Sequence, residues 1–358
     1  MSSIYEQLRD RIEEYSVGMS PTETGKELRI LERLFTEEEV EIYLGMTRSL
    51  EAPKTIAARC GLETEKAATL LENMTKKGLT FPLTVDGIRY YAAAPFMHGF
   101  FEHQVFRKEK DPALAPLIED YVMGGFIPRT TSLRTVPVGI NIDSQQNILP
   151  YDNVKKIIES KDRIGVFKCA CRHQVEAMGR DCDKPHELCI AFDYYAQYVV
   201  EEMDFGRYIT REEALQLLDE AEKAGLVHQT AGDANNTEAI CNCCADCCTI
   251  LRRLKLVPQP ALLKPVNYYC EHDQTICSHC LTCLDRCPIM AIVDGGEQTR
   301  VNVERCIGCG LCVTTCPTGA ARIITKPENE VKGPPEVYTF MRSSLDLMRE
   351  LAEEKQKG

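Results

Sequence analysis

The sequence predicts an α+β multidomain chain: an N-terminal domain of short helices closed by a β-hairpin, a helical cysteine-rich middle domain, and a small module with a duplicated cysteine motif. Three observations predict it. The chain has 358 residues, too many for one small core. The strongest short hairpin signal, Asp86-Gly87, follows a run of helical patterns. Of 19 cysteines, all but Cys60 fall after residue 168, and they cluster.

Residues 1–25 read as an N-terminal helical arm, and residues 26–110 as the first domain. Thr36 and Glu39 form a capping box ahead of Val40, Ile42, Tyr43 and Leu44, which marks a helix start. After Pro53 the pattern gives a short helix, Thr55 to Cys60, a turn at Gly61, and a longer helix from Glu63 to Lys77. Gly78 stops it, and Phe81 to Ala92 reads as two strands joined at Asp86-Gly87. This order resembles the winged-helix domains of transcription regulators. The second helix begins with Glu63 and Glu65, whereas a DNA reader needs arginine, lysine or asparagine in that turn. Homodimerisation or partner docking is therefore favoured over DNA binding.

Residues 111–150 hold Pro112, Pro116, Pro128, Pro137, Pro150 and Gly124-Gly125, the composition of a connector without long regular elements. Residues 151–265 turn helical, with a second capping box at Thr210 and Glu213, a buried face of Ala214, Leu217, Leu218 and Ala221, and a stop at Gly225. Residues 266–325 hold the duplicated module. Residues 326–358 read as a linker, Pro327 to Pro335, and a terminal amphipathic helix, Val337 to Lys355.

Hydrophobic residues at 44% and charged residues at 27% are ordinary globular values. The opening MSSIYEQLRDRIEEYS lacks the apolar core of a secretory signal, and nowhere do about eighteen apolar residues run together, so the expectation is a soluble cytoplasmic protein with no membrane span. A formal charge of −12 opposes a nonspecific grip on phosphate backbones and suits docking to basic patches on redox protein partners. In a reducing compartment the cysteines are expected to be thiols or metal ligands. Oxygen-sensitive clusters would point to an anaerobic host.

Cys277, Cys280, Cys283 and Cys287 with Pro288 give C-x2-C-x2-C-x3-C-P, and Cys306, Cys309, Cys312 and Cys316 with Pro317 repeat it 29 positions later. Three thiolates two residues apart let a tight loop wrap three corners of one cubane, while the fourth points to the other. A pair of zinc knuckles needs neither the third cysteine nor the Cys-Pro. Ala291 to Val293 and Thr299 to Val303 flank Asp294-Gly295-Gly296 as a hairpin. The whole resembles bacterial-type dicluster ferredoxins. The resemblance implies two 4Fe–4S clusters, one on Cys277, Cys280, Cys283 and Cys316 and the other on Cys306, Cys309, Cys312 and Cys287. Gly308, Gly310 and Gly319 fit close approach of backbone to cluster. His279, inside the first loop, reads as an exposed spectator.

Cys169, Cys171, Cys182, Cys189, Cys241, Cys243, Cys244, Cys247 and Cys248 place nine thiols within eighty residues. Buried filler would not pile up as Cys-Asn-Cys-Cys-Ala-Asp-Cys-Cys, so all nine are candidate metal ligands. Spacing suggests two groups, Cys169 with Cys171, Cys182 and Cys189, and Cys241 to Cys248. They would hold one or two further iron–sulfur clusters, or zinc. Lys168, Arg172 and His173 border the first group, where positive charge depresses thiol pKa values. Cys60 and Cys270 read as structural.

No C-x3-C-x2-C, no G-x-G-x-x-G after a strand and no G-x4-G-K-[ST] occurs, so radical S-adenosylmethionine chemistry and nucleotide binding have no sequence handle. The leading expectation is an electron-transfer protein or subunit rather than a stand-alone enzyme. Two alternatives remain: a redox-responsive regulator read out by the winged helix, or an enzyme whose middle-domain cluster binds substrate.

Overall fold

A computed structural model describes residues 2–14, 19–107, 111–124, 133–137, 152–232, 236–264 and 266–333. The terminal helix expected from Val337 lies outside these residues. The chain divides into two units, one built mainly from residues 1–127 with 201–204, the other from 128–200 and 205–336. Among the described residues no helix is long and apolar enough to cross a membrane.

Unit 1 contains α1 (Ile4–Glu13), α2 (Lys26–Leu34), α3 (Glu37–Gly45), α4 (Pro53–Cys60), α5 (Thr64–Lys76), the antiparallel pair β1 (Thr80–Val85) and β2 (Ile88–Ala93), then α6 (Phe101–Phe106) and α7 (Leu114–Gly124). The Thr36–Glu39 capping box forms with both of its hydrogen bonds. Glu39 also accepts from Lys77 at 2.7 Å, tying the start of α3 to the end of α5. Asp86 and Gly87 both take positive φ, +53° and +79°, as a two-residue turn that matches strand twist requires. Tyr43, Phe96, Phe100 and Tyr121 are buried at the centre. Helix α7 occupies the start of the expected connector. Pro116 is tolerated there because it sits in the first turn, whose N–H groups have no partner within the helix.

Unit 2 departs from the expected helical middle domain. It is built on a six-stranded antiparallel sheet of β3 (Leu133–Thr135), β4 (Ile164–Phe167), β5 (Cys189–Phe192), β6 (Gly206–Tyr208), β7 (Val227–Gly232) and β8 (Thr237–Cys243), in the order β3-β7-β8-β5-β4-β6. The reason it was hidden is burial. Strands Ile-Gly-Val-Phe and Cys-Ile-Ala-Phe are four residues long and buried throughout, so they show no alternation, and periodicity cannot separate such a run from a helix segment. Helices α8 (Val154–Glu159), α9 (Ala170–Ala177), α10 (Asp193–Gln197), α11 (Arg211–Lys223) and α12 (Thr249–Leu256) accompany the sheet. Ala214 and Leu218 of α11 pack with Ile158, Ile164, Ile190, Phe192 and Ile240 in its core. The second capping box is half formed: Thr210 caps the Glu213 N–H, but the Glu213 carboxylate pairs with Arg207 at 2.7 Å.

The rest of unit 2 comprises β9 (Tyr268–His272), α13 (Thr282–Arg286), β10 (Ile292–Asp294), β11 (Thr299–Val301), α14 (Leu311–Thr314) and β12 (Ala321–Thr325). The expected hairpin is β10–β11, and β12 pairs with β9 to close the ends of the module. Arg305 seams it to the sheet part of unit 2. Its guanidinium donates to the carbonyls of Lys255 and Val257, within and just beyond the end of α12, and of Ile289.

Candidate metal centres

The two cysteine runs fold as near-copies. In each, two cysteines lie on a loop, the third sits in the short helix that the loop enters, and the fourth comes after it: Cys283 is in α13 and Cys287 follows it, Cys312 is in α14 and Cys316 follows it. In each, a backbone N–H reaches back to that last sulfur, Ala291 to Cys287 at 3.2 Å and Ala321 to Cys316 at 3.4 Å. The N–H of Cys270, on β9, donates to the Cys306 sulfur at 3.4 Å. Such bonds stabilise the more negative state of a thiolate-held group and raise its potential. Cys270 also lies within hydrogen-bonding reach of the Cys312 sulfur, so β9 is part of this site.

Two pockets result. Cys277, Cys280, Cys283 and Cys316 line the first. Cys306, Cys309, Cys312 and Cys287, with Cys270, line the second. They differ in access: Cys280 is exposed, whereas Cys306, Cys309 and Cys312 are buried. Burial pushes the Cys283 and Cys306 thiols up to about 11, and raises Cys309 well above the ordinary thiol value. Unligated, these would be neutral thiols at pH 7, so the site fits a cation that binds them as thiolates.

Gly308 takes φ +65°, and a Cβ there would lie 2.5 Å from the Tyr268 carbonyl oxygen, so the glycine admits β9 against the ligand loop. Gly319 also has positive φ but nothing within 4 Å. His279, in the first ligand loop, is half-buried rather than exposed and pairs with Asp294 at the end of β10 at 3.0 Å.

Residues 269–317 match the family described as the 4Fe-4S dicluster domain. This segment is a ferredoxin-type dicluster domain. The chain is similar over 82 residues to an uncharacterized ferredoxin of Methanocaldococcus jannaschii (33% identical; 22% of this chain, 48% of the relative). Over the same length it is similar to hydrogenase-4 component A (32%; 22% and 40%) and electron transport protein HydN (34%; 22% and 45%), both of Escherichia coli. The chain thus spans less than half the length of these relatives. No solved structure matches it. The relatives support an iron–sulfur electron-transfer role for the dicluster domain.

Outside the dicluster domain, the nine thiols assemble in an arrangement different from the linear grouping. Strand β8 alternates, so Cys241 and Cys243 share one face, and Asn242, on the other, bonds His228 and the Leu188 carbonyl. Pairing of β8 with β5 sets Ile190 opposite Ile240 and brings Cys189 beside Cys241. Cys169 precedes α9 and Cys248 precedes α12, each as the residue capping the helix N-terminus. Interacting sulfur neighbours then run Cys171, Cys169, Cys189, Cys241, Cys243, Cys248 and back to Cys171, a closed ring of six sulfurs. The remaining three, Cys182, Cys244 and Cys247, form a separate group.

The surroundings of the six are cationic. Two helix N-termini converge on them. Of the three bordering cations, Lys168 is exposed, His173 pairs with Glu176, and Arg172 alone goes inward. Arg172 is fully buried, donates from Nη2 to the Asn242 carbonyl at 2.8 Å, and has no hydrogen-bond partner at Nε or Nη1. Burial works against its charge, but Cys169, Cys244, Cys189 and Cys243 hold it protonated. Buried Lys264, which sequence reading missed, bonds Gln229, whose Nε2 donates to the Cys248 sulfur at 3.9 Å. Burial lowers Lys264 to about 8, against the pull of Cys248, Cys243 and Cys241. Hydrogen bonding to Cys169, then burial, pushes Cys171 up to about 12, while bonds from Cys241 and Cys248 hold Cys243 well below the ordinary thiol value. Buried Lys264, together with Arg172 and its two unfilled donors, facing a closed set of thiols fits an anionic, thiolate-held centre.

Proposed function

We propose that the chain is a low-potential electron carrier or redox-complex subunit, with one 4Fe–4S cluster held by Cys277, Cys280, Cys283 and Cys316 and a second by Cys306, Cys309, Cys312 and Cys287. The observation that carries this reading is the crossed lining: each cavity takes three cysteines from one run and the fourth from the other. When bound, the clusters supply reversible one-electron chemistry. The chain's own residues then hold the sulfurs, donate N–H groups to them, and exclude water. The exposed Cys280 makes the first site the face for exchange with a redox protein partner, and the buried second site leads inward.

The ring of six thiols is read as a further iron–sulfur centre that exchanges electrons with the dicluster domain. For unit 1, the succession α3, α4, α5, β1 and β2 supports the winged-helix reading. Its acidic first turn, with Lys66 of α5 paired to Glu38, suits docking rather than a grip on phosphates.

The test is iron and acid-labile sulfide content with electron paramagnetic resonance of the reduced, anaerobically purified full chain. Cys316→Ser should abolish one ferredoxin signal and Cys287→Ser the other. If both substitutions remove the same signal, the crossed assignment is wrong.

A further inference from the structure

We infer that Cys182, Cys244 and Cys247 form a mononuclear zinc site, separate from every iron–sulfur centre of the chain. The inference stands on geometry and does not depend on the electron-transfer reading.

The three sulfurs lie within 4.8 Å of one another, and those of Cys182 and Cys244 are 3.9 Å apart. Four ligands around one zinc at about 2.3 Å stand at the corners of a tetrahedron whose edge is about 3.8 Å. A cubane sets its thiolates wider, because each is bound to a different iron. The dicluster domain gives an internal ruler: none of its eight motif cysteines belongs to so tight a group. Spacing alone therefore separates the trio from the ferredoxin sites.

Local structure supports one ion. Cys244-Ala245-Asp246-Cys247 is a C-x2-C turn that leads into α12, with the Cys248 N–H closing on the Cys244 carbonyl at 3.1 Å. The Cys247 N–H donates to the Cys244 sulfur. A knuckle of this kind presents two sulfurs to a single ion. Cys182 supplies the third from the segment between α9 and β5. The inner side is apolar, packed by Val175, Leu188, Ala221 and Leu226. Cys244 and Cys247 are buried, whereas Cys182 is half-buried. Among the described residues no fourth ligand atom joins the group, so water or a small exogenous donor completes the tetrahedron.

Thiolate ligands in tetrahedral geometry select zinc over hard divalent cations. The site would pin the 182–189 segment to the start of α12 and so brace the wall behind the six-thiol ring.

The experiment uses the full chain, purified anaerobically without added zinc, with zinc and iron counted on the same sample. One zinc per chain is expected, and X-ray absorption at the zinc edge should show three sulfurs at about 2.3 Å and one lighter donor. Cys182→Ser and Cys247→Ser should each lose the zinc with iron, sulfide and the reduced-state resonance signals unchanged. The wild-type absorption spectrum needs no variant and guards against a substitution that unfolds the unit. The proposal fails if the wild type holds no zinc, if zinc persists in the Cys182→Ser/Cys247→Ser double variant, or if either single substitution removes iron. Failure of the electron-transfer reading would appear separately, as missing iron and sulfide beside a normal zinc count.

Discussion

Replacing Arg172 by methionine gives a test whose sign depends on whether the six-thiol ring is anionic. Methionine roughly fills the volume and removes the charge, together with the 2.8 Å bond to the Asn242 carbonyl. If the six thiols were neutral, Arg172 would be a buried cation with two unfilled donors, and its removal would be neutral or stabilising, by up to about 1–4 kcal/mol. If they hold an anionic centre, the substitution leaves buried negative charge uncompensated, at a cost of roughly 3–5 kcal/mol. In a unit of roughly 200 residues each kcal/mol shifts the midpoint by about 2–4 °C. The expected fall is therefore roughly 6–20 °C, with loss of the ring's iron from the full chain. The assay is thermal unfolding of the anaerobic wild type and variant, beside iron counts on both. A variant as stable as the wild type, with its iron intact, would refute the argument that the ring is anionic.

Gly308→Ala and Gly319→Ala both place an alanine at positive φ, costing about 1 kcal/mol each. Only the former meets backbone, the Tyr268 carbonyl, so it should be the less stable of the two by a further 1–3 kcal/mol; equal midpoints of cluster loss in urea would contradict the close approach of β9. His228 is buried, and burial lowers it to about 4. The unfolded chain binds its proton near pH 6.5 and the folded one does not, so stability is complete above about pH 6.5 and falls by up to about 1.4 kcal/mol per pH unit down to about 4. His228→Gln should flatten that slope relative to wild type, and parallel pH profiles would remove His228 as its source. With a chain of net charge −12, electron transfer to a basic partner should slow as salt rises, and rates flat between low and high ionic strength would exclude electrostatic steering.

What the sequence determined by itself was whatever is written in local spacing. The cysteine runs 277–287 and 306–316 declare a dicluster domain because cubane-binding loops are short and their ligand intervals are invariant to the rest of the fold. The Thr36–Glu39 cap and the Asp86-Gly87 turn were legible for the same reason, since each is satisfied within four residues. Tertiary structure decided the rest. Strands β4 and β5 are buried throughout, so their patterns carry no period, and the six-stranded sheet could not be read from them. The sheet in turn sorted the nine thiols: β5–β8 pairing carried Cys189 to Cys241 across some fifty residues, and the end of β8 sent the adjacent Cys243 and Cys244 to different groups. Contacts so far apart in sequence leave no mark in spacing, and neither do Lys264 and Cys270, which reach their sulfur neighbours only when strands close around them.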